Sequence, residues 1–215
     1  MKTVLLTGFE PFGGAQVNPS WLAVKRLHGR VIQGHRIVAR RLPVVFARSL
    51  PALQRQLKKV KPALVICVGL ADRRREITPE RVAVNLDDAR IADNAGRKPV
   101  DKRIVPGGPA AYWSTLPVKA IVRALRQRGI PARVSHSAGT YVCNHVFYGL
   151  MHELARSGNP VRAGFIHVPL LPPQATHQRG SGRAEPGTPG ISLESMVEGL
   201  AVAVRESLRP PSPRK

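Results

Sequence analysis

Two kinds of segment alternate along this chain: short apolar runs, and longer stretches in which apolar residues recur at helical spacing. The short or strictly alternating runs predict strands at residues 3–7, 36–42, 63–68, 133–136 and 164–168. The helically spaced stretches predict helices at residues 18–27, 47–60, 118–128, 141–156 and 193–208. This alternation predicts an α/β fold with a mostly parallel twisted sheet and helices on both faces.

The remaining segments are less regular. Residues 78–91 fit an irregular hairpin or a strand, and residues 93–117 are rich in proline and glycine, which predicts mostly loop. Residues 172–190 and the C-terminal RPPSPRK have no apolar period, so we expect both to be mobile. A chain of 215 residues suits one domain with a real core. We therefore expect a single α/β domain over residues 1–208 and a flexible basic tail over 209–215.

The apolar runs also bear on where the protein works. None approaches the roughly 20 residues that span a bilayer, and the opening MKTVLLTGFEPFGG is too poor in apolar residues for a signal peptide. Two cysteines far apart, without zinc spacing, predict free thiols and neither a disulfide framework nor a bound metal. We expect a soluble cytoplasmic protein without a membrane partner or a cofactor.

The charge balance raises a second possibility. The chain has 34 lysines and arginines against 13 acidic residues, a net charge of +21, which favours contact with phosphate backbones or acidic surfaces. The basic residues are scattered along the chain, however, and no nucleic-acid-binding module accompanies them. A solvated basic surface without a specific nucleic-acid partner is the preferred interpretation, and a basic scaffold for nucleic acid is the alternative.

The stretch SAGTYVCNH places Cys143 just inside a predicted helix. With Thr140 as N-cap, Cys143 is the third helical residue, where free backbone N–H groups and the helix dipole lower a thiol pKa and favour a thiolate. If residues 133–136, the helix and residues 164–168 form one β-α-β unit, both strands end at the same sheet edge. His167, near the end of the second strand, would then lie at the same edge as the sulfur.

A carboxylate can join this pair. The strand at residues 63–68 should end at the same edge, and the loop that follows it leads to Glu80. Thiol, imidazole and carboxylate make up a cysteine-hydrolase arrangement, with helix-start N–H groups available for the oxyanion. Structural explanations compete with these roles. Taken alone, His167 and Glu80 would more often be an ordinary strand residue and an ordinary loop residue. The other cysteine, Cys67, is best explained as an inert strand residue.

The first loop, TGFEPFGG, has neither the lysine of a P-loop nor a dinucleotide-binding pattern, so we do not expect a nucleotide. Phe9 and Phe12 in this loop fit either core packing or contact with a small flat ligand.

The motifs of the chain resemble those of pyrrolidone-carboxylate peptidases (pyroglutamyl peptidase I), cysteine peptidases that remove an N-terminal 5-oxoproline from peptides. The similarity extends over nearly the whole chain, through TGFEPFGG, NPSW, ITPERVAVNLDDARIADN, PGGPAAYW, LPVKAI, AGTYVCNHVFYGLM and GFIHVP. It implies Cys143 as nucleophile, His167 as its base and Glu80 as the group that orients the base. It also implies substrate contacts and a homotetrameric assembly; the contact residues are Phe9, Phe12, Arg90, Ile91 and Val142.

One loop departs from the family pattern. Where many relatives read VGQAGGR, this chain reads VGLADRR, so that Leu70 replaces a glutamine and Asp72 and Arg73 replace two glycines. Loss of a single hydrogen bond costs only about 0.5 to 1.5 kcal/mol, so we expect activity, reduced at most. A catalytically dead relative that binds blocked peptide N-termini is a third alternative.

Overall fold

The computed structural model describes residues 1–158, 160–172 and 190–210. Its main elements follow in chain order: β1 (Lys2–Phe9), α1 (Pro19–Leu27), β2 (Val31–Ile32), β3 (His35–Leu42), α2 (Phe46–Val60), β4 (Leu64–Leu70), β5 (Thr78–Pro79), β6 (Val82–Val84), β7 (Ala111–Trp113), α3 (Val118–Arg126), α4 (Val142–Arg156), β8 (Arg162–Val168) and α5 (Leu193–Leu208).

The central sheet has six strands in the order β2-β3-β1-β4-β8-β5. Its four middle strands are parallel, whereas β2 and β5 are antiparallel to their neighbours at the two edges. A separate two-stranded antiparallel sheet joins β6 and β7. The predicted α/β class with a mostly parallel sheet is confirmed.

Helices cover both faces of this sheet. One apolar cluster joins α1, α3 and α5 to alternate strand residues such as Val4, Leu6 and Ile66. The other joins α2 and α4 to the intervening residues, among them Leu5, Val65 and Phe165. Because both faces of β1, β4 and β8 are covered, these strands are nearly continuous apolar runs in the sequence, whereas β3 is partly exposed and alternates apolar and basic residues.

All five predicted helices are found with bounds within two residues of those predicted, and α5 matches to the residue. Ser192 accepts a hydrogen bond from the backbone of Ser195 and α5 covers the predicted residues, while Asn18 caps α1 through the backbone N–H of Ser20. The short strands β2 and β7 lack a usable period and were not expected; β7 lies inside the segment predicted to be mostly loop.

The strand predicted at residues 133–136 is wrong. These residues form no strand of the sheet, and the segment makes only isolated bridges, from Ala132 to Ile77 and from Ser135 to Glu80. The place beside β8 is taken by β5, which pairs through Thr78 and Pro79. The β-α-β unit assumed for Cys143 is therefore absent, although the bridge still brings the chain leading to α4 beside Glu80.

Most of residues 172–190 and of the tail at 209–215 lies outside the described residues, so their expected mobility stays a prediction. In the part of the chain that the structure does describe, no helix is both long and apolar enough to cross a membrane.

Candidate active site

Cys143 is the second residue of α4, one position earlier in the helix than predicted. The helix begins at Val142, with Tyr141 as N-cap and no side-chain capping bond. Thr140 does not cap the helix, because its hydroxyl donates a hydrogen bond to the carbonyl oxygen of Asp88 at 2.7 Å. The thiol still lies in the first helical turn, where backbone N–H groups have no acceptor within the helix.

The thiol packs against the end of a parallel strand. A Cβ added to Gly69 of β4 would lie only 2.9 Å from the Sγ of Cys143, so the sulfur rests directly on this glycine. The register partner of Gly69 on β8 is His167. Paired residues of neighbouring strands project to the same face, which places the imidazole beside the thiol, and both line one cavity.

His167 is held from behind by Glu80. Its Nδ1 lies 2.7 Å from the Oε1 of Glu80, and both residues are buried. The carboxylate is placed by β5, whose Thr78 pairs with His167, and by the backbone N–H of Glu80, which donates to the carbonyl of Phe165. A carboxylate accepts, so Nδ1 carries the hydrogen, and whenever the ring is neutral Nε2 is the acceptor that remains on the cavity side.

The carboxyl group of Glu80 is ionised despite its burial. Burial by itself raises its pKa, but the hydrogen bond and charge of His167, the charge of Arg74 and the Ser135 hydroxyl together hold the pKa below its ordinary value. The buried carboxylate can therefore stabilise a positive charge on the imidazole.

The expected thiolate at Cys143 is wrong for the free protein. Burial raises the pKa of this thiol to about 12, and the nearby carboxylate of Glu80 adds to the effect, while Arg74 opposes it. Loss of water around the sulfur outweighs the N–H groups of the helix start, even though the residue keeps partial exposure to the cavity. The resting thiol is neutral and needs a base.

The cavity in front of the thiol has a volume of about 240 Å³. All five residues predicted to contact substrate line it: Phe9, Phe12, Arg90, Ile91 and Val142. They differ in burial. Phe9 is only 2% exposed and also packs on Phe165, so core packing and cavity wall both explain it, whereas Arg90 is exposed.

The loop that departs from the family pattern forms part of the same wall. Leu70, Asp72 and Arg74 line the cavity, and Arg73 is exposed to solvent. The change from glutamine to Leu70 thus lies where it alters the chemistry of the wall from polar to apolar.

Two residues near the site were missed by sequence reasoning. Arg74 belongs to a run of three arginines that looked like a solvated charge run, yet its side chain is 20% exposed and pairs with Glu80. The buried amide of Asn144 donates to the carbonyls of Val84 and Leu86 and accepts from the Val84 N–H, which ties the start of α4 to β6. The only sequence signals were an arginine shared with the family loop and a polar residue beside the cysteine.

The structural interpretation of Cys67 is confirmed. Cys67 is fully buried in the core, where desolvation raises its pKa to about 12. His145 lies two residues beyond the thiol and uses its Nδ1 to pair with Asp87 at 2.8 Å.

A thiol, an imidazole and a buried carboxylate at one cavity of an α/β fold are the arrangement of a cysteine hydrolase. Comparison with known proteins narrows this class. Residues 2–209 match the family described as pyroglutamyl peptidase, and the chain belongs to that family, whose members are cysteine peptidases that remove N-terminal pyroglutamate.

Similar proteins span nearly the whole chain. The chain is 50% identical over 204 residues to the pyrrolidone-carboxylate peptidase of Bacillus mycoides, covering 95% of this chain and 92% of the relative. It is 52% identical to that of Bacillus anthracis over the same shares. The crystal structure of pyroglutamyl peptidase I from Bacillus amyloliquefaciens superposes with a TM-score of 0.89 at 50% identity, covering 96% of this chain and 97% of that one. The pyrrolidone carboxyl peptidase of Thermococcus litoralis gives 0.91 at 44% identity, over 97% and 94%.

Proposed function

We propose that this chain hydrolyses the amide bond after an N-terminal pyroglutamyl residue, with Cys143 as nucleophile, His167 as general base and acid, and Glu80 as the residue that orients the imidazole. The observation that carries the proposal is the position of His167. Its Nδ1 is bound to a buried carboxylate and its ring borders the cavity that also holds the thiol.

The first chemical step forms a thioester. Nε2 of His167 removes the proton of the Cys143 thiol as the sulfur attacks the carbonyl carbon of the pyroglutamyl residue. Because burial keeps the resting thiol neutral, proton transfer accompanies the attack. Glu80 stabilises the imidazolium that forms, and backbone N–H groups at the start of α4 stabilise the oxyanion.

The second step releases the products. The imidazolium returns its proton to the leaving amine as the C–N bond breaks, which leaves the acyl group on sulfur. Neutral His167 then takes a proton from water, whose oxygen attacks the thioester, and the sulfur leaves with that proton as pyroglutamate is released. Apart from the substrate, the reaction consumes only water.

The cavity supports the choice of substrate. Five-oxoproline is a neutral lactam with flat apolar faces and one amide edge, which suits aromatic and aliphatic walls such as Phe9, Phe12, Ile91 and Val142. A volume of about 240 Å³ is small beside the roughly 300 to 1,000 Å³ of drug-sized sites, so it fits one ring better than an extended peptide. Arg90 lies on the same wall, and the family resemblance implies that it lies near the reacting carbonyl.

The proposal is tested with two arylamides. A pyroglutamyl arylamide should release its chromophore, whereas a prolyl arylamide, which has the ring without the lactam carbonyl and carries a charged amine, should not. Release from neither substrate by the folded protein would contradict the proposal.

Two other functions have one observation each. The net charge of +21 favours nucleic-acid binding, which predicts association with RNA or DNA that falls steeply with salt. Leu70 in the cavity wall favours a relative that binds blocked peptides without turnover. Peptide binding without chromophore release would identify the latter, and a flat salt response would remove the former.

We further propose a cytoplasmic homotetramer built from one domain over residues 1–208, with the basic tail at 209–215. The cytoplasmic location is supported by two free thiols, which persist in a reducing compartment. The tetramer rests on the family resemblance. Size-exclusion chromatography with light scattering tests it.

A further inference from the structure

The guanidinium of Arg74 joins three segments around the proposed catalytic residues. Its Nη1 donates to Oε1 of Glu80 and to Oγ1 of Thr78, both at 2.5 Å, and its Nη2 donates to the carbonyl oxygen of Ser137 at 2.8 Å. Arg74 itself belongs to the loop that follows β4. One side chain thus links this loop to the strand of Glu80 and to the segment that leads into α4.

These contacts act on the same carboxylate oxygen that His167 uses. Oε1 of Glu80 accepts from Arg74 on one side and lies 2.7 Å from Nδ1 of His167 on the other. The side chain of Glu80 is fully buried and that of Arg74 is mostly buried. In such surroundings a charge-assisted hydrogen bond fixes both the position and the ionisation of a carboxylate.

We propose that Arg74 is a positioning residue for the hydrolysis: it holds Glu80 ionised and in place behind His167, and through Ser137 it fixes the approach to the helix of Cys143. The inference rests on the proposed catalytic roles of those residues. Arg74 acts through Glu80 and is given no contact with the reacting atoms.

The charged and polar groups that face Glu80 are few among the described residues. They are Arg74 from the loop after β4, His167 from β8, the Ser135 hydroxyl from the segment before α4, and the Cys143 thiol from α4. Without Arg74, only the imidazole and the Ser135 hydroxyl would offset the burial of the carboxylate. Glu80 would then take up a proton at higher pH and lose its hold on the correct imidazole tautomer.

The test compares Arg74→Gln with Arg74→Lys and with Arg75→Gln, a control at the exposed neighbouring arginine. For Arg74→Gln we expect kcat/KM on a pyroglutamyl arylamide to fall by about 10- to 100-fold, the usual effect of a lost charge-assisted hydrogen bond. The acid limb of the pH profile should move to higher pH. In Arg74→Lys the acid limb should stay close to its wild-type position because lysine keeps the positive charge. Arg75→Gln should match the wild type.

A second readout does not depend on peptidase activity. The charge of Arg74 lowers the pKa of the Cys143 thiol, so alkylation of Cys143 by iodoacetamide at pH 8 should be several-fold slower in Arg74→Gln than in Arg75→Gln. A folded Arg74→Gln variant with an unchanged pH profile and an unchanged alkylation rate would overturn the inference.

If the wild type releases no chromophore, the proposed function fails, and the alkylation rates alone decide the electrostatic part of the inference. If Arg74→Gln does not fold, Arg74→Lys decides: an acid limb at the wild-type position supports the charge role, and a limb shifted upward contradicts it.

Discussion

Nδ1 of His167 lies 2.7 Å from Oε1 of Glu80, and the two residues are 4% and 0% exposed. Water cannot compete for either atom at such burial, so the imidazole has one orientation and one tautomer. Its other nitrogen is the one on the side of the cavity. This contact therefore makes Nε2 the nitrogen that takes the thiol proton in the proposed reaction.

The same contact makes stability depend on pH. The pKa of Glu80 is lower in the folded protein than its ordinary value of 4.5, so the unfolded chain binds the proton more tightly. The stabilisation is present above pH 4.5 and is lost as the pH falls through the folded pKa. In Glu80→Gln we expect the free energy of unfolding, measured with urea between pH 6 and pH 3, to fall less steeply than in the wild type.

Glu198→Gln is the control for that measurement. The Glu198 side chain is 52% exposed in its pair with Arg205, and exposed pairs contribute little. This variant should follow the wild-type curve. An equally steep curve in Glu80→Gln would mean that the carboxylate is not the source of the dependence.

The neutral resting thiol gives a second prediction. Since burial raises the pKa of Cys143 to about 12, its alkylation by iodoacetamide, followed by mass spectrometry of the Cys143 peptide, should accelerate about tenfold per pH unit from pH 7 to pH 10. A preformed thiolate and imidazolium pair would instead give a rate that is already level near neutral pH. A rate that is level between pH 7 and pH 10 therefore contradicts the account.

Gly69 is predicted to be irreplaceable because the thiol rests on it. A Cβ at this position would lie 2.8 Å from Cζ of Phe165 and 2.9 Å from Sγ of Cys143. We expect Gly69→Ala to cost about 1 to 3 kcal/mol of stability through overpacking and to lower kcat/KM by displacing the thiol.

Gly129→Ala separates these two effects. Gly129 has a φ of +69° with no atom near the added Cβ, so alanine there is strained by roughly 1 kcal/mol without approaching the site. Its kcat/KM should stay at the wild-type value. If both glycine variants lose the same activity, general destabilisation explains the result and the contact with the thiol does not.

The two phenylalanines of the first loop should respond differently to truncation. Phe12 is partly buried and lines the cavity, so Phe12→Ala should raise KM by about tenfold with a small loss of stability. Phe9 is 2% exposed and packs on Phe165, so Phe9→Ala should lower the free energy of unfolding by about 3 to 5 kcal/mol. Steady-state kinetics and urea unfolding on both variants measure the contrast. A KM unchanged in Phe12→Ala would remove this residue from the substrate wall.

The sequence predicts best those elements whose signals, such as a cap or an apolar period, lie within the element itself. The helix α5 could be placed to the residue because Ser192 caps it and its apolar residues keep a helical period. The start of α4 was placed one residue early because Thr140, an apparent cap, bonds to Asp88, which is 52 residues away along the chain. The short pattern at 133–136 predicts a strand, but such a pattern carries no information about which strand occupies the sheet edge, and β5 takes that place.

The site residues also divide into those with a signal in the sequence and those whose role depends on the folded chain. Cys143, His167 and Glu80 could be nominated because helix starts and strand ends are visible in a sequence and because the family motifs contain them. Arg74 could not, because neither a run of three arginines nor an arginine shared with the family loop shows that this side chain turns inward to a buried carboxylate. The raised pKa of Cys143 could not be predicted from the sequence either, since it depends on how much water the folded chain removes from around the sulfur.

The most direct test of the account is kcat/KM on a pyroglutamyl arylamide for Cys143→Ala and Cys67→Ala. Both are small changes at free cysteines, one at the cavity and one in the core. The account predicts a loss of at least about 10³-fold for Cys143→Ala and a value within about threefold of the wild type for Cys67→Ala. Turnover that survives in Cys143→Ala, or that disappears in folded Cys67→Ala, would contradict it.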